Sequence, residues 1–133
     1  MKKLVIGTLL IGFLVSLFAC MEKIDISRRP ADYQYHQTSL HAKVHWSYRY
    51  EAASLIIEGL VESWSGEVKL QDISVTALLY DAQGKLIKKQ SARPQMAIIN
   101  PGELTPFRMI IVELPGKPAR IKLEENYEPV RSY

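Results

Sequence analysis

Cysteine is almost absent from this sequence, and so are the short motifs that mark common catalytic sites. Cys20 is the only cysteine among 133 residues, so no disulfide can form within one chain. The sequence contains no Gly-x-Ser-x-Gly, no Ser-x-x-Lys and no glycine-rich phosphate loop. We therefore expect a protein that is not an enzyme and that requires no cofactor.

The only long apolar run lies at the start of the chain. Lys2 and Lys3 precede an uninterrupted run of apolar and small residues from position 4 to position 19. This run is short for a membrane-spanning helix and has the charge and length of a signal peptide. The tetrapeptide at positions 17–20 resembles the bacterial lipoprotein box, so Cys20 is the expected site of lipidation after cleavage.

This leader divides the chain into three parts. We expect residues 1–19 to be the signal peptide, residues 20–40 the lipidated cysteine and a tether, and residues 41–133 a single domain. A flexible tether of that length spans roughly 25 Å. In the alternative interpretation, the part around Tyr33 to Tyr35 docks on the domain as an edge strand. Met21 after the cysteine indicates the periplasmic face of the outer membrane, or the cell exterior if the organism has one membrane.

Cleavage of the leader would also remove most of the excess positive charge. Lys2 and Lys3 leave with it, so 15 of the 17 basic residues remain against 14 acidic residues. A nucleic-acid interface needs a basic face in a compartment that contains nucleic acid, and neither condition is met. We expect no nucleic-acid partner.

From residue 42 onward, apolar and polar residues alternate with the period of two that is typical of β-strands. The clearest case places Ala42, Val44, Trp46, Tyr48 and Tyr50 on one face. Further strands are predicted at residues 55–64, 70–80, 85–89, 96–99, 107–112 and 120–127, with Gly59 marking a bulge or a close backbone approach. We expect an all-β domain, an antiparallel sandwich of about seven strands.

Three turn sequences separate these strands. Residues 81–84, Asp-Ala-Gln-Gly, have the Asp and Gly of a type I turn and predict a hairpin. Residues 100–103, Asn-Pro-Gly-Glu, have the Pro and Gly of a type II turn. Residues 114–117, Leu-Pro-Gly-Lys, predict the same type II arrangement.

Residues 57–61, residues 79–84 and the Pro-Gly-Glu turn followed by Pro106 and Phe107 together resemble the FxLYD domain. This is a small immunoglobulin-like β-sandwich of secreted and lipid-anchored bacterial proteins. The family's eponymous phenylalanine falls at Ala77, so the chain resembles a divergent member. The resemblance implies an immunoglobulin-like fold and an extracytoplasmic setting, and it implies no catalytic residues.

His41 and His45 have a spacing that holds a metal ion when both residues lie on a helix. The alternation around them predicts a strand instead, on which residues four apart are about 13 Å from each other. We therefore expect no metal site and interpret both as solvated surface histidines. His36 could join one of them if it folded back, although nothing in the sequence requires this.

Two groups of charged residues have competing interpretations. A basic group could bind anionic lipid headgroups, each residue contributing about 1 kcal/mol, but we favour lysines that protect a sheet edge from pairing. An acidic group is interpreted as a solvated face, because it lacks the aspartate-rich loop of a calcium site. The basic residues are Lys85, Lys88, Lys89 and Arg93, and the acidic ones are Glu124, Glu125 and Glu128.

Seven tyrosines and two tryptophans could provide an aromatic platform for a glycan or a peptide. Trp46, Tyr48 and Tyr50 share the apolar face of their strand, so we expect them in the core. Trp64 lies among small and polar residues and is expected to be exposed. Trp64 and Tyr80 are the candidate residues for contact with a ligand or partner.

These observations favour a lipid-anchored, non-enzymatic protein of the bacterial cell envelope that acts as an interaction or structural module. Contact would be made through a strand edge or loops, with an envelope protein or glycan as partner and the membrane held through the lipid. The alternative is a small-ligand or glycan-binding lipoprotein that uses Trp64 and Tyr80.

Overall fold

The computed structural model of the protein describes residues 28–131, which form two antiparallel β-sheets around one core. The predicted signal peptide and Cys20 lie outside the described residues. One short 3-10 turn, Pro30–Asp32, precedes the strands. The strands are β1 (Tyr35–Thr38), β2 (Ala42–Glu51), β3 (Ser54–Ser63), β4 (Val68–Tyr80), β5 (Leu86–Ala92), β6 (Leu104–Ile111) and β7 (Arg120–Arg131). The predicted all-β sandwich of seven strands is confirmed.

The two sheets differ in width. The larger sheet has the order β1-β2-β3-β6, and the smaller sheet has the order β5-β4-β7. Two of the pairings, β3 with β6 and β4 with β7, join strands that are distant in the chain. They correspond to the B–E and C–F pairs of an immunoglobulin sandwich.

The core lies between the inner faces of the two sheets and is mostly aliphatic. The predicted inner face of β2 is correct, because Ala42 and Val44 have no exposed surface and Trp46 is buried. On β4, Val75 and Leu79 are likewise fully buried. Both sheets contribute large buried side chains, among them Phe107, Leu55, Ile57, Leu70, Ile73, Ile99, Met109 and Ile111.

A β-bulge changes the phase of β4 near its start. The register with β7 shifts between Gln71 and Ser74, and Asp72 within this stretch has a φ of +51°. Because a bulge inserts an extra residue, Leu70 and Ile73 both face the core although they are three positions apart. The core-facing positions therefore change from even-numbered residues before the bulge to odd-numbered residues after it.

Two of the three predicted turns are confirmed. The Gly84 N–H donates to the Asp81 carbonyl at 3.0 Å, and the Asp81 carboxylate accepts from the N–H groups of Gln83 and Lys85. Residues 100–103 form a turn with Gly102 at a φ of +83°. The third expectation is wrong, because Gly116 does not adopt a positive φ and Glu113, at +57°, is the residue that does.

The predicted strand at residues 96–99 is also wrong. These residues carry the chain from the smaller sheet to the larger one, so their backbone bonds go to both sheets. Gln95 N–H donates to the Pro106 carbonyl at 2.8 Å, whereas Ile99 makes a single isolated bridge to Leu70. A crossing segment cannot continue a ladder with either sheet.

The seventh strand is β1, which forms in residues that the sequence assigned to the tether. The alternative interpretation, an extra edge strand before the domain, is the arrangement that the structure has. It begins at Tyr35 and not at Tyr33, and it pairs antiparallel with residues 43–46 of β2. The folded domain therefore starts well before residue 41.

Gly59 of β3 lies close to the backbone of β2 and to a side chain of β6. A Cβ atom at this position would lie 2.1 Å from the His45 carbonyl oxygen and 2.9 Å from the Trp46 Cα atom and the Phe107 ring. The register on both sides of Gly59 is continuous. The predicted close approach is confirmed, and the predicted alternative of a bulge does not occur here.

Gly59→Ala should lower the free energy of unfolding by about 3 kcal/mol, because the added methyl group meets backbone atoms that cannot move aside. Chemical denaturation of the purified domain would measure this change. Gly116→Ala is the matched control, since a Cβ there meets no atom within 4 Å. An equal loss in both variants would contradict the close-approach argument.

Candidate functional site

The short strand β1 closes one side of the sandwich between the two sheets. The Gln37 side chain donates from Nε2 to the Leu123 carbonyl of β7 at 2.9 Å and accepts from Trp46 Nε1 at 3.2 Å. Beside it, the Ser39 and Tyr127 hydroxyls are 2.8 Å apart. These bonds join the edge of the larger sheet to the edge of the smaller sheet.

Strand β2 extends past the residue that pairs with Tyr35, the first residue of β1. The ladder with β1 covers residues 43–46 of β2, whereas the ladder with β3 covers all ten residues. The Ser47 hydroxyl accepts from the Gln34 N–H at 2.8 Å, after which no described strand lies on this side. We call residues 48–51 of β2 the free edge.

A cleft opens between the sheets beside the free edge. We call it the aromatic cleft, and it is lined by Tyr35, Trp46, Tyr48, Pro118, Ala119 and Ile121. Its volume is about 230 Å³, which is below the usual size of a pocket for a drug-sized ligand. The cleft therefore has room for one side chain or one small ring.

The aromatic rings in and beside the cleft contact one another in series. The Tyr35 ring lies 4.6 Å from Trp46 and stacks on Tyr48 at 5.9 Å between centroids. Tyr50 follows, edge-on to Tyr48 at 6.0 Å, and the Lys117 amino group lies 4.9 Å from the Tyr50 centroid. Only Trp46 is fully in the core, so the expectation that Tyr48 and Tyr50 are core residues holds in part.

Two tyrosines of this series are harder to ionise than a free phenol. A hydrogen bond with Tyr48 raises the pKa of Tyr35, and burial adds to the effect. Burial raises the pKa of Tyr50, and the neighbouring Tyr48 raises it further. The structure therefore favours the neutral phenols, which keeps the wall of the cleft uncharged.

Two histidines stand opposite each other on the outer face of the β1–β2 ladder. His36 and His45 are register partners, and their Nδ1 atoms are 2.8 Å apart. The ring centroids are 5.1 Å apart, so the two nitrogens lie between the rings and face each other. His45 Nε2 is also 2.9 Å from Glu62 Oε1 of β3.

This arrangement requires one proton between the two Nδ1 atoms, because one nitrogen must donate and the other must accept. The contact joins β1 to β2 through side chains in addition to the backbone ladder. Glu62 of β3 contacts the other ring nitrogen of His45 and so helps to orient this ring.

The expectation that His41 and His45 are both solvated surface residues is wrong. His45 is 7% exposed and hydrogen-bonded on both ring nitrogens. His41 precedes β2 and packs edge-on against the Tyr127 ring at 6.4 Å, with a buried Nδ1 that has no partner among residues 28–131. In the same residues no group of three or more potential metal ligands occurs.

A glutamate on the outer face of the larger sheet forms ion pairs with three arginines. Glu58 of β3 accepts from Arg49 of β2 and from Arg108 of β6, with Nη2 of Arg108 at 3.1 Å. Arg28 reaches the same carboxylate at 3.4 Å and lies over the Tyr33 ring at 4.4 Å. These contacts fasten the segment before β1 across the outer face of the sheet.

Trp64 is exposed, as predicted, but its ring and its N–H both make contacts within the domain. The side chain is 42% accessible, its Nε1 donates to the Ser39 carbonyl at 3.0 Å, and the Lys43 amino group lies 5.2 Å from the ring centroid. Trp64 thus holds the turn that follows β1 and leaves part of one ring surface accessible.

Tyr80 lies at the other end of the molecule. It lines a polar groove of about 420 Å³ together with Asp81, Ala82, Gly84, Ala119, Arg120 and Lys122. Trp64 comes just before β4 and Tyr80 ends β4, a strand of 13 residues that spans roughly 40 Å. The structure therefore does not bring the two candidate residues into one site for a small ligand.

The charged groups singled out from the sequence lie on edge strands. Lys88 and Lys89 belong to β5, the edge of the smaller sheet, with Lys85 and Arg93 just outside it. This is the placement expected of residues that protect an edge. On β7, Glu125 and Glu128 accept from glutamine side chains, and Glu124 pairs with Lys122 at 3.5 Å.

The aromatic cleft was not predicted from the sequence. Tyr35 falls within the predicted tether, although an aromatic residue in a polar segment is a signal of docking. Pro118 and Ala119 lie in the connection before β7 and carry no local signal. Their role depends on the pairing of β7 with β4, which only the fold reveals.

Tyr48→Phe should lower the pKa of Tyr35 toward its ordinary value of 10.0, because the variant lacks the hydrogen bond that raises it. Since the folded pKa is raised, stability from this group is present below pH 10 and is lost as the pH rises through the folded pKa. Carbon-13 NMR titration of the tyrosine rings would measure the shift. Tyr80→Phe is the control and should leave Tyr35 unchanged.

His36→Ala should lower hydrogen-exchange protection of the β1 amides several-fold at neutral pH, because the variant lacks the side-chain contact with His45. Amide hydrogen exchange followed by NMR would measure this change. Thr38→Ala, at an exposed position of the same strand, is the control and should keep most of the wild-type protection. An equal loss in both variants would show that the histidine contact is not responsible.

Comparisons with known proteins give no relative for this chain. No family model matches it, and neither the curated proteins nor the solved structures contain a match. Within residues 28–131, no helix has the length and apolar character to cross a membrane.

Proposed function

We propose that this protein is a lipid-anchored, non-enzymatic component of the bacterial cell envelope that acts as an interaction or structural module. The observation that carries the proposal is the aromatic cleft beside the free edge of β2. A cleft walled by rings and apolar side chains suits binding of a partner group, and a free edge suits pairing with a partner strand.

The proposed location rests on the sequence of the leader. The lipoprotein-like tetrapeptide at residues 17–20 makes Cys20 the proposed lipidation site, and Met21 favours the periplasmic face of the outer membrane. In an organism with one membrane, the same anchor would hold the domain on the cell exterior. The resemblance to the FxLYD domain supports the same extracytoplasmic setting.

The second candidate function is binding of a small ligand or a glycan. It is supported by the Tyr35 and Tyr48 rings at the aromatic cleft, because aromatic side chains with hydroxyl groups combine apolar contact with hydrogen bonding. Trp64 and Tyr80 would then act at separate sites, or one of them would not take part. A saturable change in tryptophan fluorescence with cell-wall fragments would support this candidate.

Expression of the full chain should yield a membrane-bound protein whose mass corresponds to loss of residues 1–19 and gain of acyl chains. The Cys20→Ser variant should lack the acyl chains and leave the membrane fraction. Intact mass spectrometry and membrane partition measure both properties. A wild-type chain that stays uncleaved and unlipidated would overturn the proposed anchor and location.

A further inference from the structure

We propose that the free edge of β2 accepts an extended peptide segment of an envelope partner as an added strand, with one apolar side chain of this segment in the aromatic cleft. This inference rests on the proposed interaction function and specifies how the partner is held.

The first argument is that the same edge already holds a strand of this type. β1 pairs antiparallel with residues 43–46 of β2 and places the Tyr35 ring against Trp46. The four residues of the free edge lie further along the same side of β2. Their backbone groups on this side have no strand partner among the described residues. A partner segment would continue an interface that the fold has already built.

The second argument is that the outer edges of β5, β6 and β7 are protected. β5 carries lysines, and β7 is covered by the Gln37 and Tyr127 contacts and contains Pro129, which has no N–H to offer. On β6, the Pro106 carbonyl accepts from Gln95 and the Ile110 carbonyl accepts from Gln90. The free edge carries Arg49 and Glu51, but among the described residues it has no proline and no side-chain hydrogen bond from another element to its backbone.

The third argument is the match between the free edge and the cleft below it. Successive side chains of an added strand point to opposite faces, so one residue would point between the sheets. There it would meet Tyr35, Tyr48 and Ile121 in a space of about 230 Å³, which suits one aromatic or branched aliphatic side chain. A larger cofactor would not fit.

Charge at the border of the site indicates what flanks that apolar residue. The Lys117 amino group lies over Tyr50, and no carboxylate among the described residues forms an ion pair with it. Arg49, on the outer face of the free edge, already pairs with Glu58 and with Glu51, so Lys117 is the cation that remains for a partner at this border. The chemistry therefore favours an extended segment in which an acidic residue accompanies the apolar residue.

The length of the free edge limits the affinity. Four paired residues and one buried side chain make an interface well below the roughly 1,200 Å² of a stable complex, so the contact should be weak and reversible. Attachment of both partners to one membrane would raise their effective concentration and compensate for this weakness.

The test uses the folded chain without its leader and the peptide Ac-Val-Glu-Phe-Glu-Val-NH2 as the probe. We expect NMR shifts at the amides of residues 48–51 and at the rings of Tyr35 and Tyr48. Two further peptides carry N-methyl groups on the N–H groups of one edge or of the other. Methylation of the edge that pairs with β2 should weaken binding at least ten-fold, and methylation of the opposite edge should not. Replacing its phenylalanine with alanine should have a similar effect.

Ala119→Trp tests the cleft without altering the core, because Ala119 is exposed at its border. The added ring should fill the cleft and weaken peptide binding at least ten-fold. Ala82→Trp is the matched control, since Ala82 is an exposed alanine in the β4–β5 turn outside the cleft. This control should bind the peptide as the wild type does.

Three outcomes would overturn the inference. The first is no shift at residues 48–51 with millimolar peptide, or binding that neither N-methylated edge weakens. The second is concentration-dependent shifts at these residues without peptide, which would indicate a second copy of the chain. The third is binding of cell-wall fragments, but not peptide, in the cleft. Recovery of a crosslinked partner at another surface would then preserve the proposed interaction function while this inference fails.

Discussion

Closure of the strand edges is the constraint on which the rest of this sandwich depends. Two sheets of four and three strands leave two open seams, and each exposed backbone edge can pair with another molecule. One seam is crossed by the Gln90 side chain, which donates to the Ile110 carbonyl at 3.0 Å. The other is crossed by Gln37 and Tyr127 from opposite sheets. Docking of β1 is thus part of how the sandwich closes.

The same docking creates the aromatic cleft. Tyr35 forms one wall, and it is held there by the β1–β2 ladder and by the contact between His36 and His45. Since β1 has only four residues, its attachment is the least extensive of the strand pairings and depends on these side-chain contacts. A change that loosens β1 would therefore alter both the seam and the cleft, while the ladder between β2 and β3 remains intact.

The sequence allowed the long strands to be predicted, because alternation within one strand is a local property. The buried face of β2 follows from this alternation. The turn at Asp81 and the close approach at Gly59 follow from the local preferences of aspartate and glycine. From the sequence, β1 is only an alternative, because part of what holds it comes from residues 86 to 88 positions away, as in the contacts of Gln37 with Leu123 and Glu125. The cleft was missed for the same reason, since its walls come from β1, β2 and the connection before β7.

Docking of the N-terminal segment also changes how the proposed anchor would hold the domain. With lipid on Cys20, seven residues would separate the proposed anchor from Arg28, instead of the twenty residues of a tether that reaches residue 40. Arg28 is fastened by Glu58 on the outer face of the larger sheet, so this face would lie nearest to the anchor. The free edge of β2 borders the same face at Arg49, another partner of Glu58. A segment that pairs with the free edge would therefore have to come from a partner close to the membrane surface.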